Sequence, residues 1–119
     1  MGFREHLQDV VRSVDGAVAC SLMGMDGIEV DTHLVDELGL DLKSFLIEFS
    51  TLFHTARAAS SAHEAGPVAE LSIQSERILT VARLVSSEYF MVVALRPDGN
   101  FGKARYMLRI TAPKLVAEL

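Results

Sequence analysis

The sequence is poor in the residues that build covalent or metal-braced folds. Cys20 is the only thiol, so an internal disulfide cannot form and a cysteine-based zinc site has too few ligands. Tryptophan is absent and only three prolines occur. Charged residues make up 23% and mean hydropathy is +0.28, which excludes disordered and collagen-like chains. Positive charge is also scarce: 11 Lys and Arg face 16 Asp and Glu, giving −5 with neutral histidines. Arg96, Lys103, Arg105 and Arg109 come closest to a basic stripe, but they are spread among apolar residues, so a nucleic-acid partner is not expected. The longest apolar runs, 16–25 and 89–95, fall short of the roughly 20 residues that span a bilayer. Arg4, Glu5, His6 and Asp9 stand where a secretory signal would place its apolar core. The expectation is a cytoplasmic protein of one domain, 1–119, with no direct membrane insertion.

What is present is strong hydrophobic patterning. Phe3, Leu7, Val10, Val11 and Val14 recur at i, i+4, i+7, i+8 and i+11, one face of a helix that Asp15-Gly16 ends. Residues 17–23 read as a strand, and Asp26-Gly27 predicts a type I′ hairpin, with φ > 0 at both residues, leading into a strand over 28–32. A loop follows over 34–40. Asp41 is the expected N-cap of one long helix to about residue 62, which Gly66-Pro67 stops. Three strands follow, at 68–75, 77–85 and 89–95, with connections short enough for hairpins. A turn at 96–100 precedes a last helix over 101–119, in which Pro113 removes one backbone hydrogen bond.

Strand patterning orders the sheet. The segments 17–23, 77–85 and 89–95 are apolar on both faces and belong at the centre. Ile28, Val30 and Thr32 alternate with Glu29, Asp31 and His33; Ala69, Leu71 and Ile73 alternate with Glu70, Ser72 and Gln74, so these two are edge strands. With hairpins joining strands 1–2, 3–4 and 4–5, the order that places 2 and 3 at the edges is 2-1-5-4-3. Helices must cover both faces. The expected fold is a three-layer α/β/α sandwich of topology αββαβββα around a five-stranded antiparallel sheet.

Gly16-Ala17-Val18-Ala19 entering the first strand, Met25-Asp26-Gly27-Ile28 in the first hairpin and Asn100-Phe101-Gly102-Lys103-Ala104-Arg105 opening the last helix resemble the Roadblock / dynein light chain superfamily. The family-like positions are Gly16, Asp26, Gly27, Gly102, Ala104 and Arg105. The resemblance covers nearly the whole chain and implies a profilin-like fold, a homodimer or a heterodimer with a paralogue, and regulation of a small Ras-like GTPase, as in bacterial members. Other members are scaffold subunits of motors or membrane-bound complexes. The resemblance carries over no catalytic residue.

The long helix gives independent information about partners. Leu42, Phe45, Leu46, Phe49, Leu52, Phe53 and Ala56 form its expected core stripe. The opposite flank holds Ile47, Thr51, His54, Thr55, Ala58 and Ala62, small or weakly apolar where a solvated flank would carry many charges. This ridge is the expected two-fold dimer contact, and the edge strand with Glu70 and Ser72 is a second, since it lacks Pro and Lys. On the last helix, Tyr106, Ile110, Pro113 and Ala117 form a secondary stripe that either packs on the first helix, the preferred reading, or faces a partner.

Motifs for chemistry are weak. Gly99-Asn100-Phe101-Gly102-Lys103 has two residues between its glycines where a phosphate loop needs four, and Ala104 replaces the Mg²⁺-binding hydroxyl. The preferred reading is a helix start in which Gly102 lets the helix approach a strand. Asp31, His33 and Asp36 read as solubilising charges rather than metal ligands. No Ser-His-Asp or paired-carboxylate pattern stands out, so no cofactor, metal or enzymatic activity is expected. The rival class, a small-molecule sensor, requires an internal cavity of about 300 Å³ or more.

Overall fold

In the computed structural model, which describes residues 2–119, the first apolar stripe forms helix α1 (Phe3–Ser13), burying Leu7, Val10 and Val11. Gly16 then turns the chain with φ +86°. A Cβ there would lie 2.5 Å from the Gly99 Cα, so two backbones touch at this point. The contact is fixed by hydrogen bonds from Arg96 N–H to the Gly16 carbonyl (2.8 Å) and from Asn100 N–H to the Asp15 carbonyl (2.9 Å).

Strands β1 (Ala17–Gly24), β2 (Glu29–Leu34), β3 (Glu70–Gln74), β4 (Leu79–Leu84) and β5 (Tyr89–Leu95) form one antiparallel sheet in the order β2-β1-β5-β4-β3, the order that hairpin connectivity and edge patterning require. Centrally, Cys20 pairs with Val93 and Val81 also pairs with Val93, so β5 lies between β1 and β4. The β1–β2 turn differs from expectation. Only Gly27 has positive φ (+86°), whereas Asp26 does not. Gly27 N–H bonds the Gly24 carbonyl (3.0 Å) and the Asp26 carboxylate accepts from Ile28 N–H (3.0 Å), so the side chain stabilises a turn that needs one left-handed residue instead of two.

Two separate cores result. On one face α1 and α4 (Phe101–Val116) pack against Cys20, Leu22, Val81, Met91, Val93 and Leu95. On the other, α2 (Leu42–Ile47) and α3 (Phe49–Ala62) cover Ala19, Met23, Ala82, Phe90, Val92 and Ala94, with the Phe53 and Phe90 ring centroids 5.1 Å apart. Cys20 is completely buried, which pushes its thiol pKa up and keeps it from acting as a nucleophile.

The expected single long helix is interrupted at Glu48. Ser50 Oγ donates to the Ile47 carbonyl at 2.9 Å, a local side-chain bond that competes with the backbone ladder and bends helices. Asp41 caps α2 as expected, accepting from Ser44 N–H and Ser44 Oγ. Leu52, assigned to the core stripe, is instead 37% exposed. The segment ends at Ala62, before Gly66-Pro67, where Ala65 N–H bonds the Ser60 carbonyl and Glu64 adopts φ +56°. Gly102 does not mediate a close approach, because a Cβ there meets only Asn100 Oδ1 at 3.9 Å; that role belongs to Gly16 and Gly99. Asn100 caps α4 through its side chain, which accepts from Lys103 N–H (3.1 Å), and the helix runs on past Pro113.

Candidate functional site

The two sheet faces are covered unequally. A helix is about 10 Å wide and strands lie about 4.8 Å apart, so one helix covers about two strands. α1 and α4 share one face. On the other, α2 and α3 follow each other with Glu48 between them and act as roughly one helix for a five-stranded sheet. Apolar side chains at the flanks of that face therefore lack full cover. Thr32, opposite Ser21 and hydroxyl-bonded to it at 2.7 Å, is buried, but Ile28 is 66% and Val30 41% exposed. The alternation expected over 28–32 is broken by a bulge, since Asp31 lies opposite Leu22 and Glu29 opposite Met23, leaving Val30 as the extra residue. At the far flank, Leu71 and Ile73 of β3 are half-buried.

The uncharged ridge lies on the outer side of this single helical layer. Ile47 at the end of α2 and Thr51, His54, Thr55, Ala58 and Ala62 along α3 are all exposed. Their polar atoms are largely satisfied within the chain. Thr55 Oγ1 donates to the Thr51 carbonyl (3.2 Å), and His54 Nε2 lies 2.8 Å from the Met25 carbonyl, to which it donates. A surface whose hydrogen bonds are already made loses little when another surface displaces its water. Ile47 also adjoins the first hairpin, its Cγ2 3.9 Å from where a Gly27 Cβ would sit. The apolar strip thus continues from α2–α3 toward Ile28.

Glu70 and Ser72 stand apart from the ridge. Register places Glu70 opposite Arg83 and Ser72 opposite Val81, a core residue on the α4 side, so their side chains point away from the α2–α3 side. Glu70 accepts from Arg105 Nε (2.8 Å) and lies 3.8 Å from Arg83. What β3 offers on the ridge side is Leu71 and Ile73; at its open edge it offers backbone, unguarded by Pro or Lys. The family-like positions are scattered by role. Gly16 makes the backbone contact, Asp26 and Gly27 form the hairpin turn, Ala104 is buried against α1, and Arg105 holds Glu70.

Other candidates are engaged or open. Asp31 bonds Arg4 (2.6 Å) and Asp36 bonds Arg96 (2.7 Å), so both carboxylates are taken up by arginines. Hollows of about 370 and 630 Å³ flank Arg57, whose guanidinium donates to the Ser87 carbonyl; both lie between α3 and neighbouring strand ends but open at the surface, unlike an enclosed sensor cavity. The Tyr106 stripe is largely uncovered, with Tyr106 49% exposed and Pro113 and Ala117 exposed, which corrects the expectation that it packs on α1. Among the described residues, no helix is long and apolar enough to cross a membrane.

The strand order, the two-sided layering and the helix sequence define a sandwich of the Roadblock/LC7 type. A Roadblock/LC7 domain structure from Streptomyces avermitilis superposes with a TM-score of 0.86 over 99% of this chain and 98% of that one, at 15% identity. The gliding protein MglB from Thermus thermophilus superposes at 0.84 over 96% of this chain and 85% of its own, also at 15% identity; MglB also occurs in a tetrameric arrangement. MglC from Myxococcus xanthus is 54% identical over the full length of both chains, with a TM-score of 0.71. No family model and no curated protein matches the sequence. At that identity and coverage the chain belongs to the Roadblock/LC7 family, on its MglC-like side.

Proposed function

We propose that the chain is a cytoplasmic, non-enzymatic dimer, with itself or with a paralogue, that regulates or scaffolds a small Ras-like GTPase. The observation that carries this reading is the exposed, internally satisfied ridge on a helical layer too narrow for its sheet. Pairing two such ridges about a two-fold axis widens that layer, and pairing of β3 edges extends the sheet. Similarity to MglC, and to MglB by fold, supports a role like that of gliding regulators.

Regulation then proceeds by position. The dimer surface holds the switch segments of the GTPase so that the GTPase's own residues orient the attacking water. Arg57 and Arg105 are held by Ser87 and Glu70, so neither is nominated as an inserted finger. Timing phosphate release from Ras-like GTPases with and without the protein tests the regulatory half. An accelerated or slowed rate supports it, whereas binding with an unchanged rate favours a pure scaffold.

A further inference from the structure

The α4 side of the β3–β4 edge carries a charged feature that the dimer reading does not use. Arg83 on β4 and Arg105 and Arg109 on α4 surround a single carboxylate, Glu70, in a chain whose net charge is −5. Arg105 makes the one close bond to Glu70, at 2.8 Å, while Arg83 approaches it only to 3.8 Å, outside hydrogen-bond range. The Arg83 side chain is half-buried nonetheless. Arg109 lies against the Tyr106 ring, its guanidinium carbon 5.5 Å from the centroid, and forms no ion pair among the described residues. Each guanidinium offers five donors in a planar fork. Arg83 and Arg109 therefore hold unused donors at one place.

Two adjoining hollows share these arginines. The first, about 220 Å³, is completed by Glu70, Gly102, Arg105 and Tyr106. The second, about 330 Å³, continues along α4 over Leu84, Ala112, Pro113 and Val116, with these apolar side chains on one part of its wall and Arg83 and Arg109 on the other. We propose that this groove receives an acidic segment of a protein partner, a carboxylate bridging Arg83 and Arg109 and an adjacent apolar side chain resting against Pro113 and Val116. Glu70 already shows that the cluster accommodates a carboxylate, and bidentate guanidinium–carboxylate pairing is the strong form of that contact. A small oxyanion such as phosphate would leave the apolar wall of the second hollow unused.

The test is an NMR titration of the ¹⁵N-labelled protein with a capped hexapeptide alternating aspartate and leucine. Controls are the same peptide with serine for aspartate, and inorganic phosphate. Shifts should concentrate at residues 83–85 and 105–116, and the serine peptide should not produce them. Arg109→Gln, at an exposed position, should weaken binding about tenfold or more, and Arg83→Met should do the same. The proposal is overturned if the peptide does not bind, if its shifts map elsewhere, or if Arg109→Gln binds it equally well. Phosphate matching the peptide in affinity at the same amides also overturns it, leaving a small-oxyanion site.

Discussion

Single residues here act mainly through the backbone they permit. Gly16 combines φ +86° with a backbone contact that leaves no room for a Cβ, so Gly16→Ala should cost about 2 kcal/mol or more, read as a lower urea midpoint. Gly102 occupies open space in the first turn of α4, and Gly102→Ala should raise stability by about 0.5 kcal/mol in the same measurement. Sequence alone assigned Gly16 only the end of the first helix and gave the close approach to Gly102, because a glycine's neighbours across the fold are invisible along the chain. Asp36 gives a pH prediction. The Leu38 amide, then the Arg96 side chain, hold its carboxyl below its ordinary value of 3.8. A depressed carboxylate stabilises the folded state above the unfolded pKa and loses that contribution as pH falls through the folded one. The stability gap between wild type and Asp36→Asn should therefore be widest above about pH 5 and close progressively below about pH 4 in urea titrations.

At the scale of elements, periodicity identified every strand and the core face of α1, but it missed the break between α2 and α3, placed Leu52 in the core, and did not tell how far each face was covered. The α2–α3 interruption follows from one hydroxyl, Ser50, in a stretch whose apolar spacing is otherwise continuous. Leu52, on the covering helix itself, and Ile28 and Val30, beside the bulge in the β1–β2 pairing, are left exposed. Where cover is complete, packing is dense. Phe53, fully buried against Phe90, anchors α3 to the sheet, and Phe53→Ala should cost about 3–5 kcal/mol by chemical denaturation while leaving the exposed ridge unaltered in sequence.

For the whole molecule, the unequal covering of the two sheet faces is the feature on which the proposed second subunit rests. Thr51 and Ala58 are exposed in the protomer, and arginine is a good helix former, so Thr51→Arg or Ala58→Arg should leave the fold within about 0.5 kcal/mol of wild type. At the proposed two-fold contact either change would bury an unpaired charge, at a cost of several kcal/mol. Sedimentation at micromolar concentration should show wild type at twice 13.0 kDa and each variant at 13.0 kDa. Variants that remain dimeric would remove the ridge from the interface and leave the β3 edge as the remaining candidate.

The sequence by itself determined the elements, the strand order and the existence of helices on both faces, because hydrophobic period and short hairpins are local properties of the chain. It also marked the ridge, since missing charge can be counted along a helix. Only the tertiary structure decided that Glu70 and Ser72 point away from that ridge, that Gly16 rather than Gly102 makes the backbone contact, and that Arg83, Arg105 and Arg109 share one groove. Those facts depend on register and on which helix lies over which strand: Gly16 meets Gly99, and Glu70 lines one hollow with Arg109, with no local pattern to announce either.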